Sequence, residues 1–263
     1  MYCNPTVNVM GKNVFPVEIR SLPFYNKQAD INKKPEVKVM KILVDTADVD
    51  AIRKCFEYFP VDGVTTNPSI LAAAGRVPFE VLGEIRSLLG EHGELHVQVL
   101  SRKAEHMVTE ARFILDRLGQ DTYIKVPVTA EGLKAVMMMK KQGMRVTATC
   151  VYTVQQAFLA AKAGADYAAP YVNRIENLGE DGVHTVERMQ DVIDANGFET
   201  VLLAASFKNT HQAVSLAEYG VGAMTLPPDI LQGMVKNACV DAAVEKFAGD
   251  FEALRGMGAT MLR

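Results

Sequence analysis

From residue 41 onward, short apolar runs alternate with stretches whose apolar residues recur every three or four positions. The short runs fall at 42–44, 63–66, 95–99, 123–126, 146–149, 167–170, 201–205 and 223–226, each about the length of a strand. Helical spacing occupies 49–59, 103–118, 131–142, 153–163, 182–195 and 211–218. Runs such as 123–126 are near-continuously apolar, as in parallel strands covered on both faces. Eight such units predict an α/β protein folded as a single (β/α)8 TIM barrel. The competing architecture, an open doubly wound sheet, places a glycine-rich turn after its first strand. Here Asp45-Thr46-Ala47-Asp48 stands in that place, with Asp48 or Thr46 suited to cap the next helix. A further C-terminal helix over 241–251 follows the eighth unit, free to cover the barrel or a neighbouring subunit.

The chain therefore divides into residues 1–39 and 40–263. The first part has no sustained period, carries Pro5, Pro16, Pro23 and Pro35, and is expected to be a poorly ordered N-terminal extension. It lacks the apolar core and cleavage site of a secretory signal, and Met40 is a candidate for the true start.

Composition narrows the classes of function. A net charge of -3 and a hydrophobic fraction of 49% describe a globular protein without general attraction for nucleic acid or anionic membrane. No apolar stretch approaches the roughly 20 residues of a membrane span. Cys3, Cys55, Cys150 and Cys239 are widely spaced and mostly in apolar segments, which suits structural thiols in a reducing cytoplasm. The histidines are scattered too, so His96 and His106 are expected in packing or solvent roles, and no metal is expected.

Lys125 breaks this ordinary pattern. It interrupts the apolar run Tyr123-Ile124-Lys125-Val126-Pro127-Val128, where a charged amine is costly and tends to give up its proton. A deprotonated lysine can attack a carbonyl and form a Schiff base. Taken alone, the residue also fits a strand-end lysine that snorkels to solvent. The polar residues at the C-terminal strand ends, where barrel active sites lie, change that balance. They are Asp45, Thr65, Asn67, Gln98, Lys125, Thr149, Tyr171, Arg174 and Ser206. Singly, Asp45 could cap a helix, Asn67 could serve the turn before Pro68, Gln98 could be solvated and Tyr171 could be a core ring. Convergence of a carboxylate, amides, hydroxyls, an amine and a guanidinium on one rim favours a site.

The segments carrying these residues are VDTAD (44–48), GVTTNPS (63–69), IKVPVT (124–129), APYVNR (169–174) and AASFK (204–208). In that order, from about residue 40 to 251, they resemble the small transaldolase and fructose-6-phosphate aldolase family. The resemblance implies a class I aldolase barrel with Lys125 as the Schiff-base lysine and no cofactor. Transaldolases of the family are expected to carry Glu on the third strand and Phe after the sixth, and the aldolase branch Gln and Tyr. This chain has Gln98 and Tyr171. The implied activity is cleavage of fructose 6-phosphate to dihydroxyacetone and glyceraldehyde 3-phosphate. In it Gln98, Thr149 and Tyr171 hold a water beside the Lys125 imine, and Asp45, Thr65 and Asn67 bind the three-carbon donor. Arg174 and Ser206 bind the phosphate, with Lys208 either assisting or solvated.

Three other readings stay open: a transaldolase of the same family, which passes the three-carbon unit or that of a modified ketose to a second sugar; a catalytically silent barrel that binds a sugar phosphate; and a nucleotide enzyme, disfavoured by the missing glycine-rich loop. The resemblance also implies a homo-oligomer, a pentamer or decamer, in which the C-terminal helix packs on a neighbour. Ala243, Val244, Phe247 and Phe251 have the spacing for it.

Overall fold

A computed structural model describes residues 39–90 and 93–262, so the expected N-terminal extension lies, apart from Val39, outside the described residues. Eight parallel strands close into a barrel in sequence order, with the eighth paired to the first. They are β1 (Lys41–Asp45), β2 (Gly63–Thr65), β3 (Glu94–Gln98), β4 (Tyr123–Pro127), β5 (Val146–Val151), β6 (Tyr167–Pro170), β7 (Val201–Ala204) and β8 (Ala223–Leu226). The protein is thus the expected (β/α)8 TIM barrel. Helices α1 (Val49–Tyr58), α4 (Ala104–Leu118), α5 (Ala130–Lys140), α6 (Val154–Lys162), α8 (Gly182–Ala195) and α9 (Thr210–Tyr219) fall where the periodicity predicts them.

Helices α2 (Pro68–Ala73), α3 (Pro78–Leu89), α7 (Val172–Glu176) and α10 (Pro228–Gly233) are additions to the predicted set. Three of them have Pro in the first turn, where its fixed φ suits a helix start, and α2, α7 and α10 are too short to show a period. The last helix, α11, runs over Ala238–Arg255, longer than the predicted 241–251.

Two layers hold the barrel. Outward-facing residues such as Val64, Leu95, Val97, Ile124 and Val126 pack against helix residues such as Ile52, Val108 and Val136. These side chains are essentially solvent-free, and truncating one to Ala costs about 2–5 kcal/mol. Inside, Leu43, Tyr167, Ala169, Leu203 and Ala223 form a smaller apolar plug.

At the N-terminal end of the strands the interior turns polar. Glu94 accepts from Lys41 Nζ at 2.5 Å and from the Tyr167 hydroxyl at 3.1 Å. His96 stacks on Tyr123 at 4.5 Å, lies 3.4 Å from the Glu94 carboxylate, and its Nδ1 lies 2.9 Å from Thr147 Oγ1. Burial would raise the Glu94 carboxyl, but hydrogen bonds from His96 and Lys41 outweigh it and hold the group at about 2. Burial lowers His96, so a neutral imidazole donating to Glu94 and accepting from Thr147 is the form that fits. His96 is therefore a core residue and His106 an exposed one, as expected. Among the described residues, no helix is long and apolar enough to cross a membrane, and no group of three or more His, Cys, Asp or Glu is placed to hold a metal.

Candidate active site

Lys125 is the third residue of β4 and only 5% exposed. Its Nζ donates to the main-chain carbonyl of Thr66 at 2.8 Å. Burial pushes the amine below its ordinary range, and the neighbouring Asp45 and Cys150 offset only part of that effect. The direction favours the free amine needed for attack on a carbonyl. The end of β4 is also fixed from behind: a Cβ on Gly132 would lie 1.8 Å from the Pro127 carbonyl, so only glycine lets α5 start this close to it.

The other predicted residues stand at the ends of several strands around Lys125. Asp45 ends β1, and its Oδ1 accepts from Thr65 Oγ1 at 2.6 Å. That bond uses the Thr65 proton, so Thr225, 2.7 Å away on β8, donates to Thr65. The carboxylate is thereby held beside the lysine with a lone pair free for a substrate hydroxyl. Gln98 ends β3 and pairs in register with Lys125. It faces a cleft lined also by Leu100, Ser101, Arg102, Pro127 and Thr129.

Opposite them stand Thr149 and Tyr171, their hydroxyls 2.9 Å apart. The β5 ladder shifts register between Ala148 and Val151, and Cys150 takes a left-handed φ of 59° within that irregularity. Bulges at barrel rims re-aim side chains in this way. The Cys150 thiol lies 3.7 Å from the Tyr171 hydroxyl. Burial first, and then Cys150, raise the Tyr171 phenol, so it stays protonated and able to donate.

Arg174 projects from α7, with its guanidinium 4.6 Å above the Tyr171 ring and 3.5 Å from the Tyr152 hydroxyl. Ser206, after β7, has a left-handed φ of 63°, and its carbonyl accepts from the Asn173 amide at 3.1 Å. Cys150 and Ser206 are the positive-φ non-glycine residues of the described chain, and both lie at this rim. Such strain persists where the surroundings over-determine it, commonly at functional sites.

Two predicted residues are more constrained than their roles require. Asn67 Oδ1 accepts from the Ile70 amide and caps α2, leaving its amide N–H groups for a ligand. Lys208 is exposed, with its main-chain N–H held by Gln212 Oε1.

Sequence reasoning passed over Thr66, Cys150, Tyr152 and Thr225. Thr66 acts through its main chain, which leaves no mark on the sequence. Thr225 is a polar residue inside an apolar run, as Lys125 is, and the same signal points to it. Cys150 was expected as a packing thiol; the bulge turns it to the site, while Cys239 is exposed and Cys55 is buried in the barrel's outer layer. A model of the family described as Transaldolase/Fructose-6-phosphate aldolase matches residues 42–261, from the first strand of the barrel to beyond its last helix. With that match over the whole barrel and its rim, the chain belongs to the transaldolase/fructose-6-phosphate aldolase family.

Proposed function

We propose that this protein is a class I aldolase that cleaves fructose 6-phosphate to dihydroxyacetone and glyceraldehyde 3-phosphate through a Schiff base on Lys125. The observation that carries the choice of cleavage over transfer is the 2.9 Å pairing of the Tyr171 and Thr149 hydroxyls beside Cys150, whose charge also acts on the Lys125 amine. The neutral Lys125 amine attacks the ketone carbon, water leaves and the imine forms. Asp45, Thr65 and the Asn67 amide hold the hydroxyls of the three-carbon unit. The imine nitrogen accepts electrons as the carbon–carbon bond breaks; the hydroxyl of the departing aldehyde gives up its proton, and the enamine left behind takes a proton on carbon to restore the imine. Tyr171, Thr149 and Gln98 position one water that carries protons and then attacks the imine carbon, releasing free ketone. A phenylalanine in place of Tyr171 would offer no such proton, and the three-carbon unit would wait for a second aldehyde. Arg174, with Ser206, binds the phosphate of the aldehyde, a role that suits an exposed guanidinium whose one hydrogen bond among the described residues is to Tyr152.

We infer further that α11 packs on a second copy of the chain. None of its residues is buried, and Val240, Val244 and Phe247 are each more than half exposed on it. The test of the cleavage reading is to follow free dihydroxyacetone from fructose 6-phosphate, with and without an aldose acceptor. Release without acceptor supports aldol cleavage, and product formed only with acceptor replaces it by group transfer.

A further inference from the structure

Lys125 Nζ has one hydrogen-bond acceptor among the described residues, and it belongs to the main chain. The Thr66 carbonyl, at the end of β2, receives it at 2.8 Å in a fully buried setting. That carbonyl is itself fixed from β3. The Thr66 amide donates to the His96 carbonyl at 3.0 Å, and the Thr66 hydroxyl donates to the same oxygen at 3.1 Å. A single peptide oxygen thus clamps Thr66 at two points. His96 is in turn immobilised by its stack on Tyr123 and its contacts with Glu94 and Thr147.

The geometry points to Thr66 as a positioning residue that aims the lysine nitrogen through the whole reaction, a role that rests on the Schiff-base reading of Lys125. A neutral amine that donates one N–H to a fixed carbonyl has its lone pair turned away from that carbonyl and toward the open rim. When the amine has attacked and water has left, the protonated imine carries a single N–H. That hydrogen bond becomes charge-assisted and stronger, and it fixes the plane of the C=N bond. The fixed plane decides which face of the imine carbon meets the water held by Tyr171, Thr149 and Gln98. The Thr66 side chain, which touches neither substrate nor amine, acts by keeping the carbonyl in place.

The test compares Thr66→Val, Thr66→Ser and Thr66→Ala in the full chain, by borohydride trapping of dihydroxyacetone and mass measurement of the Lys125 adduct at several pH values. Valine keeps the shape and loses the hydroxyl, serine keeps the hydroxyl and loses a methyl, and alanine loses both. The positioning role predicts that Val and Ala together lose about fivefold in adduct at limiting dihydroxyacetone, the scale of one displaced hydrogen bond. Their trapping profiles should also move to lower pH, because the ammonium loses its acceptor. Ser should behave as the unmodified protein. A packing role predicts the opposite order, with Val unaffected and Ser resembling Ala, and that order would overturn the inference, as would three variants all equal to the unmodified protein. Should Val or Ala fail to fold, Ser against the other still gives the order; should Ser fail, the unmodified threonine against its isostere Val gives it. If the unmodified protein itself forms no adduct on Lys125, it is the Schiff-base reading that fails.

Discussion

The carbonyl of Ser206 accepts from the Asn173 amide at 3.1 Å, so the residue beside Arg174 is tied to the end of β7. A strained backbone at one strand end thereby sets the first turn of α7 and the place from which the guanidinium reaches. Arg174 also lies over the Tyr171 ring, so the groups proposed for anion recognition and for proton relay share one surface.

Arg174→Ala is expected to lower kcat/KM for a phosphorylated aldehyde, assayed in the synthesis direction, by on the order of a hundredfold, the loss of a charge-assisted bidentate contact. An unphosphorylated aldehyde should lose far less. Equal losses for both would remove Arg174 from the phosphate role.

Tyr171→Phe is expected to suppress release of dihydroxyacetone by at least tenfold while leaving imine formation on Lys125 in place, because the two steps use different groups. Transfer to added erythrose 4-phosphate should persist or rise. Following both products in parallel decides it, and a variant that still releases dihydroxyacetone at the original rate contradicts the water-relay role.

Most of the fold was legible in the sequence because each strand is a short apolar run between amphipathic helices, and all eight runs became barrel strands. The short helices α2, α7 and α10 were not, since five or six residues carry no period and their packing is set by the strand ends they follow. The site was legible wherever a polar side chain broke an apolar run, as Lys125 and Thr149 do. It was hidden where main-chain geometry does the placing. The register shift that turns Cys150 and the carbonyl of Thr66 that meets Lys125 both depend on how strands pair, which no single segment encodes.

The polar end of the barrel gives a stability prediction with a definite sign. Glu94 is lowered from 4.5 to about 2 in the folded protein, so its contribution is present above pH 4.5 and fades as pH falls toward 2. Glu94→Gln should destabilise the protein by on the order of 2 kcal/mol at neutral pH and flatten the acid limb of its stability curve. Denaturant melts at a series of pH values would show both, and an unchanged acid limb would count against the ionised carboxylate.

Replacing Lys125 should stabilise the fold. The Lys125 amine is depressed below its unfolded value, so its burial opposes folding at neutral pH and this opposition is relieved as pH rises toward the unfolded value. Lys125→Met, close in volume and uncharged, is expected to raise Tm at pH 7 while abolishing turnover. A lowered Tm would mean that the lysine holds the barrel together instead of serving chemistry.

The assembly inference is tested at α11. Phe247→Asp, at a position 68% exposed, should leave the barrel folded and reduce the particle mass measured by light scattering. A single-chain mass for the unmodified protein would exclude it.

The central claim is that Lys125 forms the covalent intermediate, and borohydride reduction with fructose 6-phosphate followed by peptide mass mapping tests it most directly. The expected result is one adduct with the mass of a reduced dihydroxyacetone unit, on the peptide containing Lys125, absent in Lys125→Met. An adduct on a different lysine, or none while turnover proceeds, would contradict it.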